Sequence, residues 1–234
     1  MPVFSLNQQI FFPPPHMANP DGILAIGGDL EPERLLLAYE MGIFPWYSED
    51  EPIIWWSPDP RCILDIKELK ISKSMKQIMR NRGFRFSFDQ AFMEVLNHCR
   101  TIERKDQQGT WITDDISRAY QQLHEMGYAH STEVWQGDEL VGGLYGVSLG
   151  KGFFGESMFS KVSNASKAAL IHLTSCLETK GFTWLDCQVY NGHLGRLGAK
   201  NIPRPEFLQR LEEAVGHATI QGNWEICLKE GEGK

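Results

Sequence analysis

Asp186 and Gln188 stand two residues apart in the stretch TWLDCQVYN, from Thr183 to Asn191. A carboxylate and an amide at that spacing can do positional chemistry. On a strand, that i, i+2 spacing sends both side chains out of the same face, adjacent, at the sheet end facing a cleft. Period-two alternation reads the stretch as a strand, with Leu185, Cys187 and Val189 on a core face. Trp184, Asp186, Gln188 and Tyr190 share the other. The bland alternative is that Asp186 and Gln188 hydrogen-bond to neighbouring loops.

Other residues of chemical interest each carry two readings. Glu156, in GFFGESMFS, is either a solvated turn carboxylate or a group that orients a ligand amine or hydroxyl. Asn191 caps the next turn of helix or joins the site next to Gln188. Trp46, Trp55 and Trp56 lie in a Pro-punctuated segment, as core or as a stacking platform for a base or aromatic side chain. Trp111, in GTWIT, and Tyr120 are open to the same two readings. Lys73, Lys76 and Arg80 form a one-sided helical row that is either a solvated face or a set of phosphate contacts.

These residues need elements to hold them. Ser72–Arg82 and Gln90–Arg100 read as helices, with the strand-like RCILDI before them and FRFSF between them. TDDISRAYQQLHEMG is a strong helix, with Thr113 as N-cap, Asp114 and Asp115 at its positive end and Gly127 as its stop. HSTEVWQGDELVGGLYGVSLGKGFFGES reads as three antiparallel strands with Gly-Asp and Gly-Lys turns. NASKAALIHLTSCLETKG is a helix closed by Gly181. A short turn at HLGRLG and a helix from Pro205 to Val215 follow the Asp186 strand. Nearer the start, a helix with Pro32 in its first turn and Gly42 at its end sits in a segment dense in Gly, Pro and Trp. The rhythm becomes regular near Cys62, which sets expected domains of 1–62 and 63–234.

Composition excludes several classes. The chain has 234 residues, 42% hydrophobic, enough to bury a substantial core. No apolar run approaches the roughly 18–20 residues of a membrane span, and the first residues lack a signal-peptide pattern, so a cytoplasmic protein is expected; a monomer is the expected state. Five scattered cysteines without a Cys-x-x-Cys pair read as reduced thiols, with no metal and no cofactor. Net charge is −7, yet Arg61 to Arg85 holds eight basic residues against Asp65 and Glu68. That basic island on an acidic chain is a candidate nucleic-acid footprint.

The order of elements is that of an α+β, N-acetyltransferase-like (GNAT) domain. The blocks NPDGILAIGGDL, GIFPWYS, WWSPDPR, ISKSM, GTWIT, GGLYGV, GESMFS, NASKAAL and DCQVYN, in that order, resemble the leucyl/phenylalanyl-tRNA–protein transferases nearly end to end. The resemblance implies an α+β fold with a small N-terminal domain before a GNAT-like one. It implies transfer of Leu, Phe or, less well, Met from aminoacyl-tRNA to proteins with N-terminal Arg or Lys. The product would carry a degradation signal of the bacterial N-end rule pathway. It further implies Asp186 and Gln188 as the catalytic pair, the Gln188 amide oxygen accepting an N–H of the attacking amine while Asp186 binds its NH2 and polarises it; an amide is too weak a base to keep the proton, so the pair holds the amine by position. Trp46, Trp111, Tyr120, Glu156 and Asn191 would line the aminoacyl-adenosine site, and Leu144, Phe153 and Leu170 its apolar pocket. Lys73, Lys76, Arg80 and Arg82 fall where the family binds tRNA. The proton of the attacking amine is expected to leave through the ester oxygen, water or Asp186. A coenzyme A-dependent acetyltransferase would need a Gly-rich pyrophosphate loop, which GESMFSKVSNASK lacks. A non-catalytic tRNA- or N-terminus-binding protein would leave the Asp186–Gln188 pair without a role.

Overall fold

The computed structural model describes residues 3–102 and 110–228. Its strands form two sheets. The smaller has the order β1 (Phe4–Leu6), β2 (Ile23–Gly27), β4 (Ile54–Trp56), β3 (Phe44–Pro45), with helix α1 (Pro32–Glu40) joining β2 to β3. The larger has seven strands in the order β11 (Lys200–Ile202), β5 (Arg61–Asp65), β10 (Trp184–Gln188), β9 (Gly152–Ser160), β8 (Glu139–Leu149), β7 (Ala129–Gln136), β6 (Phe84–Phe88). Arg61 and Cys62 therefore belong to the larger sheet.

Strands β7 to β9 are the antiparallel meander expected from their Gly-containing turns. Strand β10 then pairs parallel to β9, with Asp186 beside Phe154, and antiparallel to β5 on its other side. The parallel step requires a crossover, supplied by α5 (Ala165–Thr179). That helix lies close against the sheet because Gly142 has no side chain: a Cβ there would come within 2.4 Å of the Ala165 methyl. Helix α2 (Lys73–Asn81) begins at Ser72, whose hydroxyl accepts from the Met75 N–H. Helix α4 (Asp114–Glu125) begins at Thr113, which accepts from Ile116. Both caps follow the expected chemistry.

Two apolar cores flank the larger sheet. One packs α5, Leu144, Phe153, Leu185 and Trp224 together. The other joins Tyr145, Phe154 and Phe159 to residues of α1, α4, α3 (Phe92–Thr101), α7 (Arg204–Val215) and the smaller sheet, including Leu24 and Trp55. The smaller sheet thus shares a core with one face of the larger, and the hydroxyl end of a tyrosine on α1 can reach strand β9.

Candidate active site

Strand β10 keeps its period-two pattern only as far as Asp186. Trp184, Leu185 and Asp186 are buried on both faces of the sheet. The register with β5 then shifts between Asp186 and Gln188, and Gln188 adopts a φ of +54°. Val189 and Tyr190 are about half exposed, so the expected assignment of Val189 to the core does not hold. A bulge is a common way for a strand to re-aim a side chain beside a site.

Asp186 holds this bulge in place. Its Oδ1 accepts the backbone N–H of Gln188 at 2.9 Å. The same oxygen accepts from Arg61 Nε at 2.9 Å, and Oδ2 accepts from the Arg61 guanidinium at 2.6 Å. The guanidinium lies between the rings of Phe44 and Phe207 and also donates to the Gly42 carbonyl. Arg61 and Asp186 are both fully buried. Two expectations change. Asp186 does not bind the Gln188 amide NH2, because its oxygens are engaged by Arg61 and the backbone. Arg61 is not part of the surface basic island, because its charge is spent inside on Asp186.

The partner of the Gln188 side chain is Glu156. Gln188 Nε2 donates to Glu156 Oε1 at 2.9 Å. The same oxygen accepts from Tyr39 Oη at 2.8 Å, and Oε2 accepts from Tyr120 Oη at 3.0 Å. The two tyrosine hydroxyls also contact each other. The ring of three oxygen–oxygen contacts needs three hydrogens, and the tyrosines supply two. With Tyr39 and Tyr120 both donating to the carboxylate, the contact between their hydroxyls has no hydrogen; it gains one when Glu156 is protonated, the carboxyl then donating to one tyrosine and that tyrosine to the other. Burial acts in the same direction, pushing the Glu156 pKa up to about 7 against the lowering effect of the tyrosine hydroxyls. Burial likewise raises both tyrosine hydroxyls well above their ordinary range.

Two cavities meet at this group. One, of about 590 Å³, has apolar walls that include Leu144, Phe153, Leu170 and Leu173. The other, of about 260 Å³, is walled by Phe44, Trp46, Trp111 and Tyr190. Glu156, Cys187, Gln188 and Asn191 line both. Asn191 also caps α6 (Gly192–Leu197), its side-chain oxygen accepting from the Leu194 N–H. Tyr120 is fully buried and reaches the site only through Glu156. Of the tryptophans in the Pro-rich segment, Trp55 is core and Trp46 faces the smaller cavity, braced by Trp56, whose Nε1 donates to its carbonyl.

Sequence reasoning missed Tyr39 as a site residue and Arg61 as a partner of Asp186. Tyr39 was legible only as the polar end of a helical core face, a group that needs a hydrogen-bond partner once buried. Lys73, Lys76 and Arg80 are exposed along α2, while Met75 is buried beneath them. Arg82 follows the helix and donates to the Ser163 carbonyl. Arg85 stacks over Trp135. Among the described residues no cluster of His, Cys, Asp and Glu is arranged to hold a metal ion.

An apolar pocket and an aromatic-walled cleft thus meet at an oriented amide and a buried carboxyl, an arrangement suited to holding two substrates against each other. Comparison with known proteins identifies the family. The model of the leucyl/phenylalanyl-tRNA protein transferase family matches residues 63–212, and the model of that family's N-terminal domain matches residues 28–59. A leucyl/phenylalanyl-tRNA–protein transferase from Syntrophus aciditrophicus is 54% identical over 96% of this chain and 94% of its own. One from Desulfatibacillum aliphaticivorans is 50% identical over 99% of both. A solved structure of L-PGS from Bacillus licheniformis aligns with a TM-score of 0.39 and 15% identity, over 72% of this chain and 53% of its own. The chain belongs to the leucyl/phenylalanyl-tRNA–protein transferase family and is an aminoacyl-tRNA-dependent transferase. No helix among the described residues is long and apolar enough to cross a membrane.

Proposed function

We propose that the enzyme moves Leu, Phe and, less well, Met from aminoacyl-tRNA to the α-amino group of proteins that begin with Arg or Lys. It would act as a cytoplasmic monomer and mark its products for N-end rule degradation. The observation that carries the reading is the Gln188–Glu156 hydrogen bond at the junction of the two cavities. In this reading Leu144, Phe153 and Leu170 receive the amino-acid side chain, and Trp46, Trp111 and Asn191 line the adenosine end. Lys73, Lys76, Arg80 and Arg82 meet the tRNA, and the residues before β5 form a small domain that brings Tyr39 and Trp46 to the transferase domain, the expected boundary at 62 moving back to the start of that strand. A cationic acceptor is supported by the charge near the smaller cavity. Trp46 and Trp111 lie one and two residues along the chain from a further cavity lined by Glu49, Glu51, Asp114 and Asp115, with Arg118 as its only cation among the described residues.

Aminoacyl-tRNA is an activated ester, so its aminolysis is downhill. A protein α-amino group has a pKa of about 7.7–8.0, so roughly a tenth is neutral at pH 7. The site then has two tasks. With its NH2 turned to Glu156, Gln188 offers its amide oxygen to an N–H of the amine and aims the nitrogen at the ester carbonyl. As the C–N bond forms, the amine becomes acidic and must lose a proton. Ionised Glu156, with a pKa near the working pH, is matched to accept it, and the accepted proton completes the three-bond ring with Tyr39 and Tyr120. Glu156 can then return a proton as the ester C–O bond breaks and the ribose oxygen leaves. Asp186, held by Arg61, takes no part in that transfer.

The test is transfer of radiolabelled Leu, Phe, Met and Val from their tRNAs to peptides beginning with Arg, Lys, Ser or Asp. Transfer of Leu and Phe to Arg and Lys termini, with Met weaker and Val poor, is expected. Equal transfer to Ser and Arg termini would overturn the acceptor assignment.

A further inference from the structure

A third cavity, of about 270 Å³, adjoins the apolar one and shares His193 with it. It lies between the start of α2, the start of α5 and helix α6. Lys70, Lys167 and Arg196 line it, together with Ser72, Ser74 and Asn164. No carboxylate lines it among the described residues. Three cations with no acidic counterpart repel one another, and here they do so on a chain of net charge −7. The cations also act on His193, whose pKa is lowered by burial first and then by Lys167 and Arg196. Such a cluster is stabilised by a bound anion. Ser72 and Ser74 share one hydroxyl–hydroxyl bond, and the Asn164 amide donates to Ser163 Oγ while its oxygen accepts from Lys167 Nζ, which leaves one serine hydroxyl hydrogen and the second amide N–H to donate to anionic oxygens.

Position says which anion. Asn191, which lines both the apolar and the aromatic cavity, is two residues from His193, so a nucleoside whose ribose sits at Asn191 has the basic cavity next to it. Of the two substrates, only the RNA is a polyanion; an acceptor with a cationic N-terminus is disfavoured beside Lys70, Lys167 and Arg196. We infer that this cavity holds the phosphodiester preceding the terminal aminoacylated nucleoside of the donor, with Lys167 and Arg196 as its cationic contacts. The inference rests on the apolar cavity being the aminoacyl pocket. It is separate from the exposed row on α2, which would meet the body of the tRNA. The two sets give the donor two independent holds, one on its 3′ end and one further away.

The test compares two minimal donors: phenylalanyl-adenosine, which has no phosphate, and phenylalanyl-cytidylyl-adenosine, which has one phosphodiester. A charge-assisted contact contributes about 1.5–3 kcal/mol, so kcat/KM for the dinucleotide donor should exceed that for the nucleoside roughly tenfold or more. Lys167→Ala and Arg196→Ala, and most of all the pair together, should bring that ratio toward one. Lys73→Glu with Lys76→Glu and Arg80→Glu should leave the ratio in place. Because the readout is a ratio within each variant, partial loss of folded enzyme does not imitate the effect. Equal use of both donors by the wild-type enzyme would overturn the inference, as would a ratio that survives in the Lys167→Ala/Arg196→Ala variant. Calorimetry with inorganic phosphate separates the sources: tight binding of free phosphate, with no gain from the phosphodiester, would make the cavity a site for a free anion and overturn the assignment. Failure of the enzyme to use either donor while it does use phenylalanyl-tRNA would count against the inference. Failure with phenylalanyl-tRNA as well would instead count against the proposed transfer reaction.

Discussion

Glu156→Gln removes a carboxyl whose pKa lies near neutrality while keeping its size and a hydrogen-bond acceptor for the tyrosines. If Glu156 takes the proton of the attacking amine, kcat/KM follows a product of two fractions: neutral acceptor amine and ionised Glu156. With an amine pKa of about 7.7–8.0 and a Glu156 pKa of about 7, both fractions fall tenfold for each unit of pH below about 6. Log kcat/KM of the wild-type enzyme should therefore rise with a slope near two at low pH, near one between about pH 7 and 8, and flatten above. Glu156→Gln should be slower by about 10²–10⁴-fold at pH 8, and its slope should stay near one throughout acid pH. Stability gives a second readout with a defined sign. Because the folded pKa lies above the ordinary value of 4.5, the fold favours the protonated carboxyl. That contribution is complete below about pH 4.5 and is lost as pH rises through about 7, a change of about 3 kcal/mol. Urea unfolding of the wild-type protein should show this loss and the variant should lack it. A wild-type acid limb of slope one, parallel to that of the variant, would refute the proton-acceptor role.

Removing one partner of the buried Arg61–Asp186 pair should cost about 3–5 kcal/mol of stability, whereas Arg61→Met combined with Asp186→Leu should recover most of it without recovering transfer, as judged by urea midpoints and initial rates. Full activity in the stable double variant would mean that the pair only supports the fold. Leu144→Ala enlarges the apolar cavity and should relax discrimination among Leu, Phe and Met rather than abolish chemistry, since a misfitting methylene is worth about 1–3 kcal/mol in such a pocket; unaltered relative rates with the three charged tRNAs would contradict the pocket assignment. Changing Lys73, Lys76 and Arg80 together to Glu should weaken aminoacyl-tRNA binding and reduce the slope of log affinity against log salt by roughly 2–3. Equal losses with phenylalanyl-adenosine would mean that α2 serves the fold or the reaction site instead.

The strand and helix order was legible because its signals are local. Gly-Asp and Gly-Lys mark the turns of the β7–β9 meander, and Ser72, Thr113 and Gly127 mark helix ends. The smaller sheet was not legible: its strands are two to five residues long and interrupted by Pro and Gly, too short for alternation to register. The site was legible in part for a related reason. Alternation brings Asp186 and Gln188 to attention, but it assigns them to each other, and the bulge that separates their side chains leaves no mark on residue spacing. Their true partners lie far along the chain. Arg61 is 125 residues from Asp186, and Tyr39 is 117 from Glu156. Arg61 sits in a segment rich in surface lysines and arginines, so charge counting groups it with them.

That distribution has a mechanistic consequence. Tyr39 comes from α1, Arg61 from β5, Tyr120 from α4, Glu156 from β9 and Gln188 from the end of β10. Apart from Asp186 on the same strand, the groups that orient the Gln188 amide all come from other elements. The Gln188 backbone is set by Asp186 and Arg61 on one side, and its side chain by Glu156 and two tyrosines on the other. The first set is an ion pair locked between Phe44 and Phe207, and the second is a ring that gains a hydrogen bond when a proton arrives. In the proposed mechanism, one set fixes where the amide stands and the other responds to the reaction. Damage to the first should lower activity at every pH alike, and damage to the second should change the shape of the pH profile.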